Sequence, residues 1–412
     1  MKSVVFRSLV SCVISAVMLA SCGGAPPLAS PPTGASRAGH SVPATVRYQL
    51  LADLHRFDGA IPRANLTNVN GTLYGTTQEG GVHGHGTIFS VSASGSVKLL
   101  HAFSGGTDGA RPEGALLDVN GTLYGTTVGG GSKCRDLGCG TVFSISITGS
   151  EKVLYRFKGG SDGAAPAAGL IAVDGVLYGT TMFGGGGSAC RSGCGTVFRV
   201  TTTGAEEVVH RFAIADGYFP QSSLTYTHGA FFGATYVGGA YHQCGGSLGG
   251  CGTIYRLTRT GSFKVLHSFA GADGSNPLAA LIGVNGTLYG TTSFGGPSYG
   301  GTLFSITLDG SERMVYGFGK TPTDGLHPWS GVVELDGKLF GTTRAGGNVG
   351  TGTVYQITLS GHETVLHNFG SSPDGKSPMA SLVELKGIFY GTSSEGGGKG
   401  CRSGCGSVYQ IE

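Results

Sequence analysis

Charge is scarce in this chain: Asp, Glu, Lys and Arg make up 12% of its 412 residues and leave a formal net charge of +3. No stripe of Lys and Arg is present, so the phosphate neutralisation on which nucleic-acid binding rests has no source, and nucleic acid is excluded as a partner. Helix-forming stretches are also missing. With 79 glycines along the chain, a helical bundle or helical solenoid is excluded. Tryptophan is reduced to a single residue, Trp329. The hydrophobic content of 39% still suffices for a core, so the abundance of glycine does not imply disorder.

What fills the sequence is repetition. An aromatic-Gly step such as Leu73-Tyr74-Gly75-Thr76-Thr77 recurs at Gly125, Gly179, Gly233, Gly290, Gly341 and Gly391, at intervals of 50, 54, 54, 57, 51 and 50 residues. An Asp-Gly turn keeps the same register at Asp58, Asp108, Asp162, Asp216, Asp273, Asp324 and Asp374. A period near fifty built of short strands and glycine turns belongs to a radial β array. Within the second repeat, four β-rich runs are separated by turns, the first being Asn120-Gly121, a strong hairpin signal. The expected fold is therefore all-β: a seven-bladed β-propeller of four-stranded antiparallel blades.

Aromatic residues occupy fixed places in each repeat. The outermost strand is expected to end on Phe57, Phe103, Phe157, Phe212, Phe269, Phe318 and Phe369, with His55, His101, Tyr155, His210, His267, Tyr316 and His367 two residues earlier on the same face. Rings of this size fill the space between diverging blades. The two chain ends complete each other: residues 46 to 57 read as a lone outer strand, and residues 380 to 411 as three strands without one. The N-terminal strand is thus expected to complete the C-terminal blade and close the ring, removing two open edges.

Ahead of the propeller, assigned to residues 46–412, Lys2 and Arg7 precede an apolar run from Leu9 to Leu19 that is too short to span a bilayer and suits an export signal. Leu19-Ala20-Ser21-Cys22 resembles a bacterial lipobox, which implies a signal peptide over 1–21 and lipidation of Cys22; an ordinary secretory cleavage nearby is the alternative. Residues 22–45, rich in Pro, Gly, Ser and Ala, read as the lipidated cysteine and a flexible tether. The expected location is the outer membrane or cell surface, with a periplasm-facing anchor as an alternative, and the expected partners are the membrane through its lipid and an extracellular glycan or protein.

The recurring LYGTT, Gly-Gly, GT[IV]FS and HxFxGGxDGxxP elements resemble the GloVer-type tandem repeats of the "choice-of-anchor" bacterial surface proteins, over residues 46 to 411. Kelch propellers are a more distant likeness, sharing the Gly-Gly after the second strand but usually carrying one tryptophan per repeat. The resemblance implies a propeller held at the cell surface by one anchor or another, and it implies no general biochemical activity.

Several chemical-looking motifs yield to the repeat. Gly370 to Ser377 matches a P-loop expression but is the seventh Asp-Gly turn, with no helix to follow it, so no nucleotide cofactor is expected. Gly245-Gly246-Ser247-Leu248-Gly249 matches a nucleophile elbow but lies in a loop rather than a strand-to-helix turn. His83-Gly84-His85 would need a third metal ligand from elsewhere, and no metal is assigned. Eight cysteines pair locally as Cys134/Cys139, Cys190/Cys194, Cys244/Cys251 and Cys401/Cys405, one pair per loop, which in an exported chain argues for disulfides; zinc is the alternative. The histidine and Asp-Gly series recur too often for catalysis, and read as packing and turn hydrogen bonds.

Subtracting the repeat leaves positions that vary. After the recurring proline come Arg63, Glu113, Ala167, Gln221, Leu278, Trp329 and Met379; after the Gly-Thr-Thr step come Gln78, Val128, Met182, Tyr236, Ser293, Arg344 and Ser394. Both sets belong to the face that carries the long loops, around the mouth of the central channel. Arg63, Glu113, Gln221, Tyr236, Trp329 and Arg344 are the candidate ligand-binding residues, a polar and aromatic mixture that suits a sugar or a peptide. The expected function is a binding module. Two alternatives stand beside it: an enzyme on extracellular polysaccharide, a lyase or glycosidase using Glu113 with Arg63 and Arg344, and a structural envelope protein.

Overall fold

The computed structural model describes residues 46–412 apart from 135–137, 187–189, 191, 242–243, 245–248, 371–373 and 399. Seven four-stranded antiparallel sheets follow one another, and the main helical element among the described residues is a single 3-10 turn at Ile214–Asp216. In blade 2 the strands are Leu117–Val119, Thr122–Thr127, Thr141–Ser146 and Glu151–Arg156, from the channel outward. Their first hairpin carries Asn120 and Gly121 at φ 53° and 80°, the left-handed pair that a two-residue turn between twisted strands requires.

Blade 7 is built from both ends of the chain. Val383–Leu385, Ile388–Ser393 and Ser407–Ile411 supply three strands, and Tyr48–Asp53 pairs antiparallel with Ser407–Ile411 as the fourth. The closure expected from the sequence is therefore present.

Its register differs from the expectation in one respect. In the other blades a bulge precedes the residue that opens the last part of the outer strand, so that His101 pairs with Ile88 and Phe103 follows, fully buried. In blade 7 the bulge falls between Leu50 and Ala52, Ala52 pairs with Val408, and Leu54 takes the buried place. Phe57 and His55 are not the seventh members of their series: both lie beyond the strand, and Phe57 is 70% exposed. The Arg-Phe pair of Arg56-Phe57 imitates Arg156-Phe157 and Arg211-Phe212, and conceals that a leucine fills the seventh position.

The repeated residues explain one another. Gly75 is glycine because the Phe89 ring of the facing strand lies across it, so that a Cβ would stand 2.6 Å from Cζ. The first threonine of the Gly-Thr-Thr step reaches the next blade, as when Thr126 donates to the Ala168 carbonyl at 2.9 Å; the second, Thr127, meets Thr141 at 2.8 Å within its own sheet. Outer-strand phenylalanines set their edges against the following blade's third-strand ring, Phe103 on Phe143 at 5.4 Å and Phe157 on Phe198 at 5.0 Å. Burying such a ring contributes about 2–3 kcal/mol.

Six of the seven seams between blades carry a further cluster. Tyr155 Oη donates to Asp162 at 2.8 Å, His267 Nε2 lies 2.9 Å from Asp273, and Tyr316 Oη donates to Asp324 at 2.9 Å; His101, His210 and His367 meet Asp108, Asp216 and Asp374 at 3.2–3.4 Å. The first residue of the next outer strand closes each cluster. It is Glu151, Glu206, Glu312 or Glu363 at four seams, whereas Phe263 stacks on His210 at 4.0 Å and Tyr48 on His367 at 4.1 Å. The histidine and aspartate series are thus architecture, as their recurrence implies. The seam between blades 7 and 1 lacks this cluster, since Ala52 stands in the histidine place.

Candidate functional site

Each residue before the recurring proline adopts a left-handed conformation, from Ile61 at φ 60° to Ser377 at φ 53°. Two hydrogen bonds hold it there. The Ile61 N–H donates to the Cys405 carbonyl of blade 7, and the Ile61 carbonyl accepts from the Gln78 N–H of its own blade. The same stitch recurs at Arg111, Ala165, Phe219, Asn276, His327 and Ser377. It fixes both variable sets at once, because the residue after the proline and the residue after Gly-Thr-Thr flank its two ends.

The disulfides serve the stitch. Cys134–Cys139, Cys190–Cys194, Cys244–Cys251 and Cys401–Cys405 are all formed, and the second cysteine of each pair offers its carbonyl to the next blade's left-handed residue. Four disulfides accord with an oxidising environment outside the cytoplasm. No helix among the described residues is long and apolar enough to cross a membrane.

The six candidate residues do not form one group. Arg63 and Arg344 line a cleft of about 490 Å³ between the loops of blades 7 and 1, together with Met379 and Ser394 of the same variable sets. Trp329 lies beneath Arg344, whose guanidinium carbon stands 4.5 Å from the indole centroid. Glu113 sits one blade further on and accepts from Gln78 Nε2 at 2.6 Å. Burial raises the Glu113 pKa, against the pull of Arg63, the Gln78 hydrogen bond and Arg111. Gln221 and Tyr236 belong to blade 4, across the ring; Tyr236 packs against the core of blades 3 and 4, and its carbonyl accepts from Asn276 Nδ2.

The cleft also contains residues that sequence reasoning missed: Arg56, Glu79, Glu395 and Arg402. Arg56 escapes notice because the expected register of the first strand places it inside the outer strand. Arg402 follows a cysteine, as Arg135 and Arg191 do, and so looks like part of the repeat. None of the four arginines in the cleft forms an ion pair among the described residues. Among the described residues, Arg63 Nε and Trp329 Nε1 are buried donors without a hydrogen-bond partner.

The remaining motifs resolve briefly. Gly370 N–H donates to Asp374 at 3.0 Å, and Lys376 pairs with Glu395 in a two-residue ladder, so the described part of the P-loop look-alike belongs to an inter-blade connection; residues 371–373 lie outside the described residues. Ser247 lies outside the described residues. His83 and His85 are exposed, and the three-donor group within 4.8 Å is instead His267, Asp273 and Glu312. The equivalent seams place Tyr155 or Tyr316 where His267 stands, hydrogen-bonded to the same aspartate, so this group is read as seam hydrogen bonding.

A family model described as the Gloeobacter/Verrucomicrobia repeat matches residues 40–245 and 241–412, in two tandem copies. No curated protein matches. Similar solved structures include a putative 6-phosphogluconolactonase from Bacteroides uniformis, with 14% identity, a TM-score of 0.47 and coverage of 74% of this chain and 83% of that chain. A gluconolactonase from Xanthomonas campestris has 14% identity, a TM-score of 0.39 and coverage of 66% and 78%. A luciferin-regenerating enzyme has 11% identity, a TM-score of 0.45 and coverage of 89% and 95%. At these TM-scores the likenesses carry no argument about activity.

Proposed function

We propose, for a chain that belongs to the Gloeobacter/Verrucomicrobia repeat family, the role of an exported propeller, lipid-anchored at Cys22, that binds an extracellular ligand on its loop face. The observation that carries this reading is the cleft of blades 6, 7 and 1, where unrepeated side chains converge on a rigid scaffold and four arginines stand without an ion pair among the described residues. Recognition belongs on variable loops held by such a scaffold.

Catalysis has less support. The best acid or base, Glu113, is engaged by Gln78 and lies outside the cleft lining, so it does not face Arg344 across a shared substrate space. Two tests separate the parts of the proposal. Cys22→Ala should move the protein from the membrane fraction to the soluble exported fraction; retention at the membrane would remove the lipid anchor from the account. On an array of extracellular glycans and peptides, the wild type should bind without turnover and Trp329→Ala should lose binding, whereas product release by the wild type would favour the enzyme reading.

A further inference from the structure

We infer that the cleft between blades 7 and 1 takes a carboxylate-bearing polysaccharide, with Arg63 and Arg344 on its acid groups and Phe57 against a sugar ring. The inference rests on the binding reading above and narrows its ligand. Four guanidinium groups, Arg56, Arg63, Arg344 and Arg402, face one space together with only two carboxylates, Glu79 and Glu395. Guanidinium forks match carboxylates in a bidentate geometry, and Arg344 is already oriented by its stack on Trp329.

Three observations favour a sugar polymer over a peptide. First, the loop backbone around the cleft is spent: Ala60 and Glu79 exchange hydrogen bonds, Gly86 N–H donates to the Gly80 carbonyl, and Gly396 is paired on both sides by Ser403 and Gly406. Among the described residues, these loop groups leave no free strand edge in the cleft for an extended peptide to join. Second, the carboxylate oxygens of Glu79 and Glu395 accept hydrogen bonds, which suits the hydroxyl protons that every sugar of a uronate polymer carries beside its acid group. Third, Phe57, 70% exposed, follows the cleft residue Arg56 in the chain and offers a bare aromatic face for a sugar ring. The arginines are distributed from the channel mouth, at Arg63 and Arg344, to the outer rim, at Arg56 and Arg402, as a chain with acid groups at intervals would require.

The test uses the full-length protein and calorimetric titration with polygalacturonate, alginate and hyaluronan, the methyl ester of polygalacturonate, and poly-glutamate. At least one uronate polymer should bind, at least tenfold more tightly at low than at high salt. Its methyl ester should bind at least tenfold more weakly. Arg63→Gln and Arg344→Gln should each weaken binding tenfold or more with an unchanged melting temperature, and Phe57→Ala severalfold. Equal binding of ester and acid, still sensitive to Trp329→Ala, would leave the binding module standing and overturn the acidic ligand. Binding of poly-glutamate as tight as that of the uronates would overturn the polysaccharide. Binding by none of the three uronates would overturn the inference, while a neutral glycan bound on the array would preserve the broader reading.

Discussion

Two clefts occupy equivalent places on the loop face, and they differ almost wholly in what lines them. Between blades 7 and 1 the wall carries Arg56, Glu79, Arg344 and Arg402; between blades 2 and 3 a cleft of about 350 Å³ is lined by Cys134, Gly159, Gly160, Ser161, Ala164, Phe183, Gly184, Gly186, Ser192 and Gly193. Ala60 of the first corresponds to Ala164 of the second, Gly80 to Gly184, and Glu79 to Phe183. The backbone scaffold is shared, stitch and disulfide included. Only the side chains have changed, and they have changed toward charge at the one seam that lacks the outer histidine or tyrosine cluster. A cavity in this fold is therefore a by-product of the repeat, and its lining is what distinguishes a site from a gap.

The most severe disturbance strikes what both clefts depend on. Deleting residues 46–57 removes the outer strand of blade 7 and opens the ring, so the protein should lose its cooperative melting transition; melting at the wild-type temperature would refute the closure. A smaller disturbance is Gly125→Ala, whose Cβ would meet Phe143 Cζ at 2.5 Å. It should destabilise by about 1–3 kcal/mol in a denaturant titration, with binding at the cleft of blades 7 and 1 intact.

The disulfides set the two clefts apart again. Replacing Cys134 and Cys139 with serine, or Cys401 and Cys405, should cost about 2 kcal/mol of stability in either case. Only the second pair anchors a loop with a cleft arginine, Arg402, so only that variant should also bind more weakly. An equal loss of affinity in both would erase the distinction between the clefts.

The mildest change belongs to the seams. Burial pushes the pKa values of Glu151, Glu206, Glu312 and Glu363 up to about 7, with Asp108, Asp162, Asp273 and Asp324 respectively adding to it. A carboxyl raised in the folded state contributes stability that is complete below its unfolded pKa, about 4.5, and lost as pH rises through about 7. His101, His210 and His367, lowered chiefly by burial, act oppositely: their contribution is present above about 6.5 and lost as pH falls through their folded values. Changing the four glutamates to glutamine isolates the first contribution. The stability difference, variant minus wild type, should grow from pH 5 to pH 8; a difference independent of pH would mean that the seams hold no protonated glutamate.

Much of this architecture is legible in the sequence alone. The interval of about fifty residues, kept by two landmarks at once, implies seven blades, and the half-blades at the two ends imply closure. Subtraction of the repeat correctly assigns the histidine series to the seams. The same subtraction errs at the cleft. Arg402 repeats in type with Arg135 and Arg191, yet its neighbours in space do not repeat, and proximity between blades 6, 7 and 1 is a property of the closed ring that a linear register does not contain. The slip at Phe57 has a local cause: Leu54 is a hydrophobic substitute with no aromatic label, and the nearby Phe57 supplies one in the wrong place. Of the set Glu113, Arg63 and Arg344, only the two arginines line the cleft, since membership of one ring of positions does not by itself place residues around one space.

Repeated residues hold the propeller together, while the unrepeated ones in a single cleft are proposed to recognise the ligand. A calorimetric titration of the bound uronate polymer against wild type, the double variant Arg63→Gln/Arg344→Gln, and the seam variant His267→Ala puts both halves of that division to the test. The predicted result is one class of site per chain, abolished in the double variant at an unchanged melting temperature, and retained in the seam variant at a lowered one. Binding that survives the double variant, or that disappears with His267, would contradict it.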